Sequence, residues 1–268
     1  MSTDSLGLAE PFTQVSPARP RRVMLVEDHP NNRRVLQLML QHLGIRPSVV
    51  VDSAAAADAF ADHSFDLILM DLHMPQAHAL EASRKIREIE LRQGRSATPI
   101  MTFTANTLVE DPGAGRNEAI DDFIPKPVKG DSVADRVDHD LDVDKPVAAD
   151  GRPIPAGAQV YDLAVLERLG SDVGEELIPE LLAGFEEDLQ QHLEAIPRLR
   201  EAGDTVTLAR TAHSLKSSSA TFGACRLSAI ALVVEMHGRQ EAFDALYAAL
   251  PELLSEMHLA LQHSPRAG

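Results

Sequence analysis

Five polar residues in the first half of the chain end or follow short apolar runs, and their types suit phosphoryl transfer. The five are Glu27, Asp28, Asp71, Thr104 and Lys126. Three carboxylates brought together repel one another unless a cation lies between them, and hard carboxylate oxygens suit Mg²⁺. A carboxylate beside Mg²⁺ can attack a phosphoryl group in line, while a lysine ammonium offsets charge on the transferring oxygens. The pattern predicts Asp71 as the nucleophile and Lys126 as the cationic clamp.

A second candidate site surrounds His213 in the other half of the chain. On a helix, the neighbours of His213 at i−4 and i+4 are the small residues Ala209 and Ser217, so we expect an exposed imidazole above a cleared surface. Arg210 and Lys216, at i−3 and i+3, add positive charge. An imidazole with an ordinary pKa of ~6.5 is mostly neutral near pH 7 and can accept a phosphoryl group.

The elements that position the acidic residues follow an alternating pattern. Short apolar runs predict buried strands, and helical periods separate them; the runs cover residues 23–26, 49–51, 67–70, 100–103 and 122–125. Alternating strands and helices predict a parallel sheet, in which functional residues gather at the carboxyl ends of the strands. The five polar residues should therefore meet in one crevice.

The chain divides into four predicted regions. Residues 1–20 are polar and rich in proline, which predicts a disordered leader; residues 21–142 form the α/β domain. Residues 143–158 combine aspartate, proline and glycine in a pattern typical of a linker. Residues 159–264 show only helical periods, which favours an antiparallel four-helix bundle with His213 on one of its helices.

Composition narrows the class of function. The net charge of −16 repels nucleic acid phosphates and anionic membranes, so we expect no direct nucleic acid binding and no membrane insertion. No apolar run approaches the ~20 residues of a membrane span, and the first 20 residues lack the apolar core of a signal peptide. These observations predict a cytoplasmic protein.

Residues 21 to about 142 resemble a receiver domain of two-component signalling. The resemblance is carried by Glu27-Asp28-His29-Pro30, by 67–71 followed by Met74-Pro75, by Thr104-Ala105-Asn106, and by Phe123 with Lys126-Pro127. It implies a flavodoxin-like fold, a five-stranded parallel sheet covered by helices on both faces. It also implies that Asp71 is phosphorylated and that Mg²⁺ is held by Asp28, Asp71 and the backbone carbonyl of His73, with Glu27 acting partly through water.

The same resemblance implies a switch. Thr104 and Lys126 would contact the phosphoryl oxygens, and Phe123 would reorient when Thr104 is drawn towards the phosphate. The chain departs from the family's pattern at His78-Ala79, where the family usually has an acidic or amide residue followed by glycine. Loss of that glycine would restrict the turn and could slow phosphorylation.

Residues from about 160 to 262 resemble a histidine-phosphotransfer (HPt) domain. The resemblance is carried by residues 212–220, which contain His213 and Lys216, and by Phe222-Gly223-Ala224. It implies that His213 carries the phosphoryl group and that Lys216 assists. The family often has glycine at the position of Ser217, and serine is small enough to leave room for the partner.

Four histidines of the first domain could suggest a different metal. His29, His63, His73 and His78 lack the i, i+4 spacing that would place ligands on a common helical face. We therefore expect them to lie at the surface rather than to bind a transition metal.

The function favoured by the sequence is a two-component phosphorelay. Asp71 would accept phosphate from a histidine kinase, and His213 would exchange phosphate with the aspartate of a response-regulator receiver domain, either Asp71 itself or that of another protein. The arrangement resembles the C-terminal part of a hybrid sensor histidine kinase. Because we find no ATP-binding segment in these residues, we expect a phosphoprotein intermediate of signal transduction rather than a turnover enzyme.

Two alternatives remain open from the sequence. With the turn at His78-Ala79 impaired, the receiver-like domain could act as an unphosphorylated docking or regulatory binding module. A phosphatase that uses Asp71 as its nucleophile is a further hypothesis. Such an enzyme would need a second acidic residue two positions after Asp71, where this chain has His73, and it would give no role to His213. The flexible linker permits transfer within one chain or between chains.

Overall fold

The computed structural model describes residues 22–72, 79–104, 119–138 and 159–265. The predicted leader 1–20 and linker 143–158 lie outside the described residues. The same holds for His73 and His78.

The first domain is built on a five-stranded sheet. Its strands are β1 (Val23–Val26), β2 (Ser48–Val50), β3 (Leu67–Asp71), β4 (Ile100–Thr104) and β5 (Asp122–Pro125). The order across the sheet is β2-β1-β3-β4-β5, and every neighbouring pair is parallel. β1 and β3 are buried along their whole length, which explains their continuous apolar sequence. The predicted parallel sheet is confirmed.

Helices cover both faces of this sheet. They are α1 (Pro30–His42), α2 (Ser53–Asp62), α3 (Ala79–Gln93) and α4 (Gly130–Asp138). Pro30 stands in the first turn of α1, where its missing N–H costs nothing, and the Asp52 side chain caps α2 by accepting from the Ala55 amide. Ala79, the departure from the family's glycine, is buried and begins α3.

The second domain is entirely helical in its described residues. It contains α5 (Leu163–Val173), a short 3₁₀ helix (Glu175–Leu177), α6 (Ile178–Ala202), α7 (Thr205–Thr221), α8 (Cys225–Arg239) and α9 (Phe243–Gln262). The four long helices contact one another in a ring, α6 to α7 to α8 to α9 and back to α6. Connections of two or three residues make successive helices antiparallel, as predicted.

The turns of the bundle are specified locally. Gly203 ends α6 in the left-handed region at φ +68°, a conformation that glycine adopts without steric cost. The Asp204 carboxylate then caps α7 by accepting from the Thr207 amide and hydroxyl. Within the bundle, Phe185 and Phe222 stack with ring centroids 4.8 Å apart. These signals bring α7, which carries His213, against α6 in a defined register.

The two domains pack against each other through α1. This helix contacts α5, α6 and α7 of the bundle. Its buried apolar residues, among them Leu36 and Met39, belong to one hydrophobic cluster that continues from the sheet into the bundle. The contact brings the carboxyl edge of the sheet, where β1 ends and α1 begins, towards α7.

Candidate functional site

An acidic site lies at the carboxyl edge of the sheet. Glu27 and Asp28 follow β1, Asp71 ends β3 and Lys126 follows β5, so the strand order of the sheet brings these residues together. The Lys126 Nζ donates to Asp71 Oδ2 at 2.7 Å and lies 3.7 Å from Glu27 Oε2. Carboxylate oxygens of Glu27, Asp28 and Asp71 all lie within 4.8 Å of one another. The predicted convergence of these residues is therefore observed.

The electrostatics of this site show a shortage of positive charge. Burial raises the pKa of Glu27 to about 8 against the lowering effect of Lys126, and the carboxylates of Asp71 and Asp28 raise it further. Burial, then Asp71, also raises the pKa of Asp28. Burial would lower the pKa of Lys126, but Glu27 and Asp71 outweigh it and raise that pKa. One lysine does not neutralise three carboxylates.

The donor set fits a hard divalent cation. The three carboxylates supply oxygens only, the chemistry that Mg²⁺ prefers. The Glu27 Oε1 accepts from the His29 amide at 3.1 Å, while its buried Oε2 accepts no hydrogen bond within the described ranges. The backbone carbonyl of His73, the remaining ligand implied by the resemblance, lies outside the described residues.

An arginine that sequence reasoning missed holds the acidic pair in place. The Arg33 guanidinium donates to the backbone carbonyl oxygens of Glu27 at 3.1 Å and Asp28 at 2.8 Å. It reaches back from the first turn of α1 to the loop that precedes the helix. Its spacing of five and six residues from the pair is no regular period, so no pattern in the sequence pointed to it.

The structure describes the side chain of only one of the two predicted switch residues, Phe123, and not that of Thr104. Thr104 ends β4, where its backbone pairs with Pro125 of β5, and its side chain lies outside the described part of the structure. Phe123 lies on β5, paired with Thr102, and is half-buried. The reorientation implied for Phe123 stays a prediction.

The histidine site combines residues of α7 and α8. The His213 Nδ1 lies 2.8 Å from Glu235 Oε1, and the Lys216 ammonium donates to the other oxygen of Glu235. Arg239, one turn further along α8, forms an ion pair with the same carboxylate. The prediction of an exposed imidazole was wrong, because the His213 side chain is only 15% exposed beneath the first domain.

Glu235 is a partner of His213 that the sequence did not reveal. Burial alone would raise its pKa, but the donors His213 and Lys216 lower that pKa to about 2, so the side chain is a carboxylate at neutral pH. The signal that could have found it is an acidic residue on a buried helical face, with Arg239 at i+4. The sequence does not tell which residue of α7 Glu235 contacts, because that contact depends on how α7 and α8 pack.

A single cavity joins the two sites. Its volume is about 400 Å³, and it is lined by residues of both domains. Those that matter for chemistry are Glu27, Asp28, Asp71, Arg210, His213, Glu235 and Arg239. The sequence predicted each site separately, and the packing of the domains brings residues of both sites to the lining of one cavity.

Polar contacts around the cavity specify how the domains dock. The Asn32 amide donates to Ser217 Oγ at 3.3 Å, and Ser217 is the small residue one turn beyond His213. Asn31 donates to the Gly184 carbonyl at 3.2 Å. A Cβ at Gly184 would lie only 2.9 Å from the Asn31 side chain, so glycine permits this close approach. Arg34 adds an exposed ion pair with Glu180 at 3.1 Å.

Within the described ranges, no helix combines the length and apolar character needed to cross a membrane.

Family comparisons match each half of the chain. Residues 23–138 match the response regulator receiver domain, and residues 180–262 match the Hpt domain. The receiver match contains the whole acidic site. The Hpt match contains His213, Lys216, Glu235 and Arg239.

The curated relatives are longer than this chain. The sensor histidine kinase GacS of Pseudomonas protegens is 29% identical over 253 residues, which cover 91% of this chain and 27% of that protein. The sensory/regulatory protein RpfC of Xanthomonas campestris pv. campestris is 25% identical over 233 residues, covering 85% of this chain and 32% of that protein. The chain thus spans a third or less of the length of these two relatives.

Similar solved structures include single domains and a complex. The receiver domain of sensor histidine kinase PA1611 from Pseudomonas aeruginosa, with a magnesium ion coordinated in its active-site cleft, is 32% identical with a TM-score of 0.39. The match covers 44% of this chain and 95% of that one. The Saccharomyces cerevisiae phosphotransfer protein Ypd1 with the receiver domain of Ssk1 gives 23% identity and a TM-score of 0.42, covering 44% and 86%.

The family matches and the observed architecture agree. The parallel α/β domain coincides with the receiver match, and the long helices α6–α9 coincide with the Hpt match. The related sensor proteins align over both domains of the chain. The chain therefore contains a response regulator receiver domain followed by an Hpt domain.

Proposed function

We propose that this chain passes a phosphoryl group between Asp71 and His213 within one molecule. The observation that carries the proposal is the single cavity lined by both residues. Each domain supplies one acceptor with its own charged partners, Lys126 beside Asp71 and Glu235 beside His213. A histidine kinase and other receiver domains are the proposed external partners at the two ends of the relay.

Glu235 prepares the imidazole for transfer. A carboxylate accepts from a protonated ring nitrogen, so the 2.8 Å contact places the proton on Nδ1 of His213 and the lone pair on Nε2. Nε2 is then the nitrogen that attacks phosphorus or leaves from it. This use of a buried carboxylate to fix a tautomer follows the same logic as the aspartate of a Ser-His-Asp triad.

In the transfer from histidine to aspartate, an oxygen of Asp71 attacks phosphorus. The P–O bond forms, the P–N bond breaks, and Nε2 of His213 keeps the electron pair. The reverse transfer exchanges these roles. Lys126 stays beside Asp71 and offsets charge on the phosphoryl oxygens, while Arg210 and Arg239 line the cavity on the side of His213.

The carboxylates of Glu27, Asp28 and Asp71 are the proposed ligands of Mg²⁺, with the His73 carbonyl as the resemblance implies. When bound, Mg²⁺ supplies positive charge to the phosphoryl oxygens during in-line transfer. Its charge would also offset the repulsion from Asp71 and Asp28, which adds to the effect of burial in raising the pKa of Glu27.

Labelling with a radioactive phosphodonor tests the proposal. The full chain would be incubated with Mg²⁺ and a labelled small-molecule acyl phosphate, beside Asp71→Ala and His213→Ala variants. We expect wild type to carry a base-labile aspartyl pool and an acid-labile histidyl pool. The His213→Ala variant should keep only the first pool, and the Asp71→Ala variant should carry neither. His258→Ala, which changes an exposed helical histidine, serves as the matched control.

Transfer within one molecule has its own signature. The rate at which label reaches His213 should not depend on protein concentration, and mixing the two single variants should not restore the histidyl pool. Label that stays on Asp71 in wild type would contradict the relay. A wild-type chain that takes up no label with Mg²⁺ present would favour the docking-module alternative instead.

A further inference from the structure

A second cluster of metal-ligating side chains lies at the domain interface, outside the acidic and histidine sites. It consists of His29 from the receiver domain and of Asp188 and His192 from α6 of the bundle. One ligand atom from each residue lies within 4.8 Å of those of the other two. Because Asp188 and His192 stand at i and i+4, they share one face of α6, and docking brings His29 onto that face.

Each imidazole lies at a distance from the Asp188 carboxylate that suits ligands of one tetrahedral ion. The His29 Nε2 lies 3.4 Å from Asp188 Oδ2, and the His192 Nε2 lies 3.4 Å from Asp188 Oδ1. Two ligands that each lie about 2.0–2.1 Å from a tetrahedral Zn²⁺ ion stand roughly 3.3 Å apart. The two contacts reach different oxygens of Asp188, and one ligand atom of each of the three residues lies within 4.8 Å of the others, so a small adjustment brings all three to one ion.

The hydrogen bonding of the cluster is incomplete without a further group. Both ring nitrogens of His29, the Nε2 of His192 and the Oδ2 of Asp188 are buried, and none makes a hydrogen bond within the described ranges. Buried polar atoms in native proteins almost always have a partner, so each of these atoms calls for one. The side chains are 10%, 17% and 21% exposed for His29, Asp188 and His192 respectively, so little bulk water reaches them.

The donor set of the cluster suits a transition-metal cation. It offers the carboxylate oxygens of Asp188 and the ring nitrogens of His29 and His192. Two imidazoles and one carboxylate favour first-row transition metals such as Zn²⁺ over Mg²⁺, which prefers oxygen ligands alone.

We propose that His29, Asp188 and His192 form a transition-metal site of the Zn²⁺ class that fastens the receiver domain to the HPt domain. Three protein ligands leave the fourth position for water. Since the ligands come from both domains, the complete site exists only when the domains are docked. A metal that binds only this arrangement must stabilise it, which would hold Asp71 and His213 at their shared cavity.

The site also corrects the sequence-based expectation for His29. The sequence predicts a surface position for this histidine because the histidines of its domain lack the i, i+4 spacing of ligands on a common helical face. Its partners lie about 160 residues away on another domain, and the spacing Asp188-x₃-His192 gains meaning only once α6 faces α1.

Cobalt titration of the full chain tests the site directly. Co²⁺ takes the coordination of Zn²⁺ and reports it through visible absorption, and Mg²⁺ in excess occupies the acidic site during the titration. We expect one equivalent of Co²⁺ with a tetrahedral spectrum, displaced by Zn²⁺. His192→Ala and His29→Ala should each weaken binding by about 100-fold, because each removes one ligand of three. His258→Ala, an exposed histidine on α9, should bind as wild type does.

Two further measurements distinguish a metal shared by the two domains from a metal bound to α6 alone. Zn²⁺ should raise the thermal unfolding midpoint of wild type and of His258→Ala but not of the two ligand variants, whose helicity is checked by circular dichroism. Asp188→Asn, which preserves shape, should also lose binding. Wild-type affinity in His29→Ala would confine the metal to α6 and overturn the proposal. A chain that binds no Co²⁺ beyond the Mg²⁺ site would overturn it as well.

Discussion

The two proposed acceptor sites, around Asp71 and around His213, use similar residues in opposite proportions. In the receiver domain, Lys126 faces three carboxyl groups, those of Glu27, Asp28 and Asp71, so acidic groups outnumber the cation by two. In the HPt domain, the carboxylate of Glu235 faces Lys216 and Arg239, which leaves a formal charge of +1 beside the imidazole of His213. One site lacks positive charge and the other has a surplus.

This difference assigns each site its ligand. A cluster that lacks positive charge attracts a divalent cation, and the charge of the bound cation then attracts phosphoryl oxygens. A cluster with surplus positive charge attracts phosphoryl oxygens directly. We therefore expect phosphorylation of Asp71 to require a divalent cation and phosphorylation of His213 to proceed without one of its own. Four measurements can break or refine this contrast, and the substitution that should disturb it most is at Lys126.

Removing the cation of the acidic site should have the largest effect. Lys126→Met leaves three buried or half-buried carboxylates without their ammonium partner. We expect the free energy of unfolding to fall by roughly 3–5 kcal/mol in the absence of Mg²⁺, because an uncompensated buried charge is costly. Mg²⁺ should restore part of the loss, since it supplies the missing positive charge. Urea denaturation with and without Mg²⁺ measures both the loss of stability and the part that Mg²⁺ restores.

The control for this variant is Lys129→Met, which changes an exposed lysine three residues away. It should alter stability by less than about 0.5 kcal/mol. An equal loss for Lys126→Met with and without Mg²⁺ would mean that packing of the lysine side chain, rather than its charge, matters.

Neutralising the carboxylate of the histidine site should mainly affect chemistry. Glu235→Gln keeps the shape but no longer enforces the Nδ1–H tautomer of His213. We expect the rate of phosphoryl transfer to His213 to fall roughly 10- to 100-fold, the range seen when a partner that orients a histidine is removed. The rate is measured by quenching the reaction at timed intervals, starting from chain that is phosphorylated on Asp71. Glu252→Gln, on the exposed face of α9, should transfer at the wild-type rate.

The same glutamate predicts a dependence of stability on pH. The pKa of Glu235 is about 2 in the folded protein against 4.5 ordinarily, so its stabilisation is complete above pH 4.5 and is lost as pH falls towards 2. The difference in unfolding free energy between wild type and Glu235→Gln should shrink by roughly 1 kcal/mol between pH 6 and pH 3.5. Parallel urea titrations at the two pH values measure it. A constant difference would contradict the depressed pKa.

The smallest effect is expected at the interface between the sites. Asn32→Ala removes the 3.3 Å hydrogen bond to Ser217 without touching either acceptor. A single hydrogen bond contributes about 0.5–1.5 kcal/mol, so transfer between Asp71 and His213 should slow about two- to tenfold, while labelling of Asp71 itself is unchanged. Gln41→Ala, an exposed position on the same helix, is the control. Slower labelling of Asp71 would show that Asn32 acts within the receiver domain.

The acidic site was predictable because a parallel sheet is a strong constraint. Once residues 23–26, 67–70 and 122–125 are identified as strands of one parallel sheet, the residues that follow them must meet at one edge. Asp28, Asp71 and Lys126 could therefore be grouped from the sequence alone. Arg33 escaped notice because it acts through backbone carbonyls, which carry no sequence signal.

The histidine site was predictable only in part. The motif around residues 212–220 identified His213 and Lys216, since both lie on one helix with regular spacing. Glu235 could not be paired with them, because the contact depends on how α7 and α8 rotate about their axes when they pack. The prediction that His213 is exposed was wrong for a related reason. It considered the HPt domain alone, whereas the docked receiver domain covers His213.

By itself, the sequence determined the two folds, the order of the domains and the residues suited to accept a phosphoryl group. Periodicity, turn residues and strand ends are local features, and they specify both the elements and the residues at their ends. The tertiary structure decided the shared cavity, the partners of His213 and the cluster of His29, Asp188 and His192. Those contacts join residues of different helices and domains, and their positions depend on packing alone.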